Sequence, residues 1–350
     1  MEAIKAPAAG APEENNMQRK AIALLSGGLD STLAVKVLLD QGIAVEALNF
    51  TSPFCTCTGK NSGCKSEAVR VAAEFNIPIK VMHKGTDYLE ILRNPKHGYG
   101  KGMNPCVDCR IFLLKKAKEY MLESGADFVF TGEVLGQRPM SQRRDTMRII
   151  EKESGLEGLL LRPLSAKHFP PTIPETEGWV DREKLLSMQG RSRKEQFELA
   201  AELDVKNYPC PAGGCLLTDP SFVGKVRDVF DHTEELNLRD FRLLKLGRHF
   251  RIGAKTKVIL GRNDAENGLL EQAVQPGEAT LRWNGGPSPL AALLGESSDE
   301  LLARAAQLLL RYTKAGAGDE AEMSVFIDGQ ERNLSTLNCL DEAQVEALRL

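Results

Sequence analysis

Apolar runs and amphipathic stretches alternate from residue 20 to residue 132. Residues 20–25 (KAIALL), 43–50 (IAVEALNF), 77–83 (IPIKVMH) and 126–132 (ADFVFTG) are apolar runs of strand length. Strands covered on both faces read this way, because neither face meets water. Between them, 32–42 (TLAVKVLLDQG), 65–75 (KSEAVRVAAEF) and 109–124 (CRIFLLKKAKEYMLES) carry apolar residues at helical spacing. Gly42 follows the first helix, where a left-handed residue can end it. The alternation predicts an α/β fold, a parallel sheet with helices on both faces, whose ligands sit at the carboxyl ends of the strands.

Helices are predicted again at 193–203 and 221–231. After residue 238 the pattern changes. The stretch 241–263 (FRLLKLGRHFRIGAKTKVILGRN) alternates apolar and polar positions and predicts a hairpin of strands. EATLRW (278–283) and MSVFID (323–328) read as strands, and SDELLARAAQLLLRYT (298–313) as a helix. These elements predict a second, smaller α+β domain. The expected division is a tail over 1–19, an α/β domain over 20–235 and the small domain over 236–350.

Composition changes the picture in two places. The 350 residues carry a formal net charge of -3, so no overall basic bias announces nucleic acid, although a local basic surface is compatible with it. No run of 18 apolar residues is long enough to span a bilayer, and the first 20 residues lack the apolar core of a signal peptide. A cytoplasmic location is therefore expected, with no membrane partner. In a reducing compartment the eight cysteines read as metal ligands or catalytic thiols before disulfides. They fall into groups: Cys55, Cys57 and Cys64; Cys106 and Cys109; Cys210 and Cys215; and Cys339 alone, which reads as inert.

The chemistry begins at SGGLDS (26–31), between a predicted strand and a predicted helix. Gly27 and Gly28 let backbone amides approach phosphates, and the helix start adds its dipole. Ser26 and Ser31 offer further donors, and Asp30 a carboxylate for magnesium. No G-x-x-x-x-G-K-[ST] is present, which removes Walker-type kinase and GTPase chemistry. Cys106 and Cys109 form a C-x-x-C just before a predicted helix, whose N-terminus favours thiolate. YPCPAGGCLLTD places Cys210 and Cys215 in a Pro- and Gly-rich loop able to reach a distant partner. Two short-spaced pairs also suit a structural zinc.

SGGLDS is the signature of PP-loop ATP pyrophosphatases. GEVLGQRPMSQ (132–142) resembles the stretch after the fourth strand of tRNA 4-thiouridine synthases, and NPCVDCR (104–110) the cysteine loop of tRNA 2-thiouridylases. The region after residue 240 resembles, more weakly, a small RNA-binding domain. Neither the N-terminal RNA-binding module of the well-known synthases nor their C-terminal rhodanese domain is expected in these 350 residues. The resemblance implies that ATP adenylates a uridine carbonyl oxygen and that a sulfur nucleophile then displaces AMP. It adds Gly132 and Gln137 to Ser26, Gly27, Gly28, Asp30 and Ser31 as nucleotide contacts. It implies that Cys109, with Cys106, Cys210 and Cys215, either carries a persulfide or holds a [4Fe–4S] cluster, with zinc as the alternative. Implied partners are tRNA and a sulfur donor: a cysteine desulfurase, a sulfur carrier or free sulfide. A homodimer is compatible with it.

Lys245, Arg248, Arg251, Lys255 and Lys257, with Phe250 among them, are the candidate RNA-binding residues: cations for phosphates and an aromatic for a base. A solvated hairpin face is the plainer reading. Arg138, Arg143 and Arg144 form a second basic stretch; Lys167 and His168 follow LRPLSA, where a cation could meet a phosphate, with a surface role the equal alternative, and His83 at a strand end reads as structural. Two other functions stay open. A desulfidase acting on thiolated RNA or thiouracil leaves the ATP loop with little purpose. A PP-loop ligase or amidotransferase on a small molecule leaves the paired cysteines unexplained.

Overall fold

The computed structural model describes residues 18–56, 64–206, 208, 214–338 and 340–350. Cys57 and Cys210 lie outside the described residues, as do the side chain of Cys64 and Cys339. In chain order the elements are β1 (Lys20–Leu24), α1 (Leu29–Leu39), β2 (Ala44–Thr51), α2 (Cys64–Glu74), β3 (Ile79–His83), α3 (Thr86–Arg93), α4 (Cys106–Ser124), β4 (Phe128–Thr131), α5 (Arg144–Ser154), β5 (Leu160–Leu161), α6 (Ile173–Thr176) and α7 (Lys194–Glu202). They continue as α8 (Pro220–His232), α9 (Leu238–Leu243), β6 (Arg248–Gly253), β7 (Thr256–Leu260), α10 (Asp264–Ala273), β8 (Ala279–Trp283), β9 (Ala291–Leu294), α11 (Asp299–Leu310), β10 (Glu320–Ile327), β11 (Gln330–Leu337) and α12 (Glu342–Leu348). The chain divides into two compact units. The first takes the described residues of Met1–Phe50, Thr58–Met82 and Arg110–Ala212, and the second those of Thr51–Cys57, His83–Cys109 and Gly213–Leu350.

The first unit is a doubly wound sheet of order β3-β2-β1-β4-β5, with β1 parallel to β2 and β4, and β4 parallel to β5. Its central strands carry the most apolar runs: Ala21, Ile22, Phe128 and Val129 are wholly buried. Each large buried side chain contributes about 1.5–3 kcal/mol over its exposed state. The order has one consequence for function. The chain steps from β1 outward to β2 and β3, then returns to place β4 on the other side of β1. The connections after β1 and after β4 therefore leave in opposite directions and open a crevice at their carboxyl ends.

The second unit holds a six-stranded antiparallel sheet, β11-β10-β8-β9-β7-β6. Alternation along β7 divides its residues between two cores. Val258 and Leu260 pack with Leu302, Ala305, Ala306 and Leu309 of α11, whereas Ile259 packs with Leu243 of α9 and Leu270 of α10. The hairpin expected over 241–263 is β6–β7, but its first residues form the end of α9 instead. Phe241 and Leu243 are buried there, a helical pairing that a short apolar run does not distinguish from a strand. The same unit contains an aromatic core in which Phe54 meets Tyr88, Phe222 and Phe241 at 6.2, 6.4 and 5.7 Å between ring centroids. Among the described residues no helix is long and apolar enough to cross a membrane.

Candidate nucleotide and thiol sites

In the first unit, β1 ends at Leu24 and α1 starts at Leu29, so SGGLDS forms the turn and the first helical residues. The N-cap is Gly28, which has no side chain to satisfy the first amides of α1. Uncapped amides at a helix start are donors suited to an anion. Gly27 sits at φ +78°, and a Cβ there would lie 2.6 Å from backbone atoms of Glu67 and Ala68. Only glycine fits. The two serines serve the turn itself: Ser31 Oγ donates to the Gly28 carbonyl at 2.9 Å, Gly28 N–H donates to Ser26 Oγ at 3.3 Å, and the two hydroxyls lie 3.1 Å apart.

The residues after β4 meet this turn. A Cβ on Gly132 would stand 2.4 Å from the Asp30 carbonyl oxygen and 2.5 Å from Ser31 N. Gln137 Nε2 donates to Asp30 Oδ2 at 2.7 Å. Thus Asp30, Ser31, Gly132 and Gln137, far apart in sequence, are brought together. Two partners escaped the sequence reading. Gln196 of α7 donates its Nε2 to Gln137 Oε1 at 2.9 Å, and Arg193 reaches to 3.9 Å from Asp30 Oδ2. The available signal was weak: Gln196 stands one helical turn before Ala200 on the buried face of α7. Glu133, also unanticipated, is buried and faces Arg110 at 3.0 Å and Arg162 at 3.5 Å.

The relay Gln196–Gln137–Asp30 turns one carboxylate oxygen toward protein donors and leaves the other alone. Asp30 Oδ1 is buried with no hydrogen-bond partner. An unsatisfied buried acceptor costs about 1–3 kcal/mol, and more when charged, unless a cation occupies it. A hard oxygen beside a ring of helix amides fits magnesium. Gly132→Ala should be severe, because the clashing atoms are backbone and cannot rotate away. We expect a loss of about 1–3 kcal/mol in stability, by overpacking, and at least about tenfold weaker nucleotide binding. Thermal melts with and without ATP check both.

The second unit carries the cysteines. Cys106 is the first residue of α4, so the C-x-x-C lies inside the helix rather than before it, and Cys109 N–H donates to the Pro105 carbonyl at 2.8 Å. Lys84 Nζ is 2.9 Å from Cys109 Sγ and 4.2 Å from the centre of the Tyr88 ring. An ammonium at that distance stabilises thiolate. Burial, then the Cys109 sulfur, hold the Tyr88 phenol well above its ordinary range, so it stays protonated beside the thiol. Cys215 lies across an antiparallel bridge from Cys55. Burial pushes its thiol up to about 11; the Leu217 amide and Lys84 pull the other way, and Cys109 and Cys55 add to the rise. Cys55, Cys106, Cys109 and Cys215 thus share one neighbourhood. No three Cys, His, Asp or Glu side chains among the described residues close on one point as metal ligands. The expected fourth ligand, Cys210, lies outside those residues. Replacing Lys84 by Met should slow alkylation of Cys109 by iodoacetamide at pH 7 about tenfold. Peptide mass mapping over time reads that rate.

The five basic residues of the small domain do not form one exposed row. Arg251 grips Asp228 through Nε at 2.8 Å and a terminal nitrogen at 2.6 Å, and Lys257, nearly buried, shares that carboxylate at 3.5 Å. Burial pulls the Lys257 ammonium down to about 8, with Asp228 opposing. Lys245 Nζ donates to the Cys55 carbonyl at 2.7 Å. Arg248 lies over the Tyr312 ring at 4.9 Å, and Lys255, the most exposed, is 3.7 Å from Glu296. Phe250, offered above as a base-stacking aromatic, is wholly buried in the sheet core and cannot stack on a base. Its place on β6 faces α11 and α12, not solvent.

Residues 16–168 match the family described as "Thiamine biosynthesis protein (ThiI)", and residues 247–349 the one described as "NFACT protein RNA binding domain". A relative described as "Probable tRNA sulfurtransferase" of Methanothermobacter thermautotrophicus is 25% identical over 246 residues, 69% of this chain and 54% of that protein. A tRNA-specific 2-thiouridylase MnmA of Leptospira interrogans is 29% identical over 130 residues, 32% of this chain and 33% of that protein. Among solved structures, the U34-tRNA thiolase NcsA of Methanococcus maripaludis with its [4Fe-4S] cluster is 23% identical, with 67% of this chain and 72% of that chain covered and a TM-score of 0.34. The chain spans about half the length of the first of these relatives and a third of the second. The chain therefore resembles tRNA-thiolating PP-loop proteins over 16–168 and an NFACT RNA-binding domain over 247–349.

Proposed function

We propose that this chain is an ATP-dependent tRNA sulfurtransferase that makes a thiouridine. The activating half of the reaction belongs to SGGLDS. The amides at the start of α1 receive the phosphates of ATP, and Asp30, oriented by Gln137, is the residue that would hold magnesium. Magnesium there would neutralise charge on the departing pyrophosphate. Attack of the uridine carbonyl oxygen on the α-phosphorus expels pyrophosphate, and AMP then becomes the leaving group at carbon. The helix amides stabilise the charge that develops as pyrophosphate departs.

The sulfur half belongs to Cys109. Its terminal persulfide sulfur attacks the activated carbon and AMP departs. Cys215 then attacks the Cys109 Sγ, which releases the thiouridine and leaves a Cys109–Cys215 disulfide. Cys106 flanks the pair at the first residue of α4. Cys106, Cys109 and Cys215, with Cys210 outside the described residues, are the residues that would hold a cluster or zinc, and no step is routed through either. The RNA is held by the small domain, residues 236–350, in keeping with the match over 247–349.

Lys84 Nζ at 2.9 Å from Cys109 Sγ carries this reading over a PP-loop ligase, since a ligase has no use for a stabilised thiolate. The test is mass spectrometry of nucleosides from unmodified tRNA incubated anaerobically with the protein, magnesium-ATP and a persulfide donor. An ATP-dependent gain of one sulfur in place of oxygen on uridine supports it. Loss of sulfur from pre-thiolated tRNA in the same mixture points to a desulfidase. ATP cleavage that ignores RNA points to a small-molecule ligase.

A further inference from the structure

Cys55 has no part in the reaction above, yet the fold places it with care. It follows Phe54, whose ring is buried against Tyr88, Phe222 and Phe241. Leu216 N–H donates to the Phe54 carbonyl at 2.9 Å, and Cys55 and Cys215 face each other across the resulting antiparallel bridge. That bond joins the residue before Cys55 to the residue after Cys215, so the two cysteines are a non-hydrogen-bonded pair. Such pairs bring Cα atoms to about 4.5 Å, with side chains on the same face. Disulfides need a Cα separation of about 4.4–6.8 Å. The backbone is therefore already set for a Cys55–Cys215 bond. Lys245 fixes the segment from the other side through the Cys55 carbonyl, at 2.7 Å.

We propose that Cys55 is the thiol that clears the sulfur-transfer site, by taking Cys215 out of the Cys109–Cys215 disulfide. The proposal rests on the sulfurtransferase reading for the origin of that disulfide, but not for the pairing itself. The Cys55 thiol loses its proton to solvent, and its sulfur attacks Cys215 Sγ. The Cys109–Cys215 bond breaks, the Cys55–Cys215 bond forms, and Cys109 leaves as thiolate. No net oxidation occurs. The direction of attack follows from Lys84, because a thiolate held beside an ammonium is the better leaving group. Cys109 is then ready for the next persulfide while the oxidising equivalent waits on Cys55–Cys215. A dithiol reductant returns that pair to two thiols and is itself oxidised to a disulfide.

The first arm of the test needs no turnover. The reduced protein is oxidised with one equivalent of diamide, quenched with iodoacetamide in acid and mapped by peptide mass spectrometry. Cys55–Cys215 should be the main disulfide, and in Cys55→Ser the main product should become Cys109–Cys215. In the second arm, persulfide-loaded protein turns over once with tRNA and ATP without reductant. Wild type should end as Cys55–Cys215. Cys55→Ser should give the same single-turnover yield of thiouridine but end as Cys109–Cys215, with later turnovers about tenfold slower at low dithiol. Cys55→Ala, checked by its melting curve, repeats the test if the serine variant misfolds. Wild-type protein that retains Cys109–Cys215 with Cys55 alkylated overturns the proposal, as does a Cys55 bond to Cys57, Cys64 or Cys210. A Cys55–Cys215 bond under diamide with no thiolated tRNA would instead remove the sulfurtransferase reading and keep the pairing.

Discussion

Asp30→Ala should abolish release of pyrophosphate from ATP, by a factor of at least about a thousand. Three features of the carboxylate make the loss large. It stands in the first turn of α1, next to the amides proposed to receive phosphate. One oxygen is held by Gln137 and faced by Arg193, so the orientation is set before any ligand arrives. The other is buried and accepts from no protein donor, a position that a cation would make favourable. Asp30→Asn tests the charge alone: it keeps the shape and should lose nearly as much, because an amide nitrogen there cannot hold magnesium. A pyrophosphate-coupled assay with RNA present reads both variants. Retained release in either would remove SGGLDS from the chemistry. Gln196→Leu probes the same carboxylate at a distance. It should weaken magnesium binding several-fold, measured by titration in the presence of ATP, with the fold intact by circular dichroism.

Cys109→Ser should leave pyrophosphate release measurable and reduce thiouridine to background. The two readouts separate because the groups proposed to activate and to carry sulfur are different residues, and serine cannot carry a persulfide. The Lys84 contact also sets an expected asymmetry among the cysteines. Cys109 has an ammonium 2.9 Å from its sulfur, whereas burial holds the Cys215 thiol up near 11. At neutral pH the Cys215 thiol is therefore protonated, while the Lys84 ammonium beside Cys109 favours attack there. Alkylation at pH 7 should therefore mark Cys109 well before Cys215, and raising the pH toward 11 should narrow the gap. Equal labelling at pH 7 would contradict this division of roles. If instead Cys109→Ser also stopped pyrophosphate release, the thiol would belong to the activation step.

Much of the first unit is legible in sequence because strands buried on both faces have no polar positions to hide them. KAIALL and ADFVFTG are such runs, and they became the central neighbours β1 and β4. Amphipathic α4 was equally plain, though it starts at Cys106 rather than at Cys109. Less visible were short elements whose stability comes from contacts far away in the chain. Helix α3 is one, with Tyr88, Leu89 and Leu92 buried. Another is α5, whose residues follow a basic stretch that reads as loop. The two-residue β5 has too little length to show any period. Helix α9 was hidden inside a segment whose apolar residues satisfy both periods at once.

The sites divide the same way. Sequence alone determined the residue types and the local turn: glycines where backbone must come close, an aspartate at a helix start, and a C-x-x-C at another. These are local matters, settled by φ, by helix ends and by the spacing of neighbours. Only the tertiary structure decided which distant groups complete them. Strand order sets Gly132 and Gln137 against Asp30, and α7 adds Gln196 and Arg193. An ammonium from the segment after β3 finds Cys109, and a bridge register sets Cys55 opposite Cys215. The same holds for the basic residues that follow residue 244. As a string they read as one cationic surface, but the pleat turns Arg251 and Lys257 inward to Asp228 and buries Phe250. Charge along a chain is a property of sequence; whether that charge meets solvent or a buried carboxylate depends on which elements pack beside it.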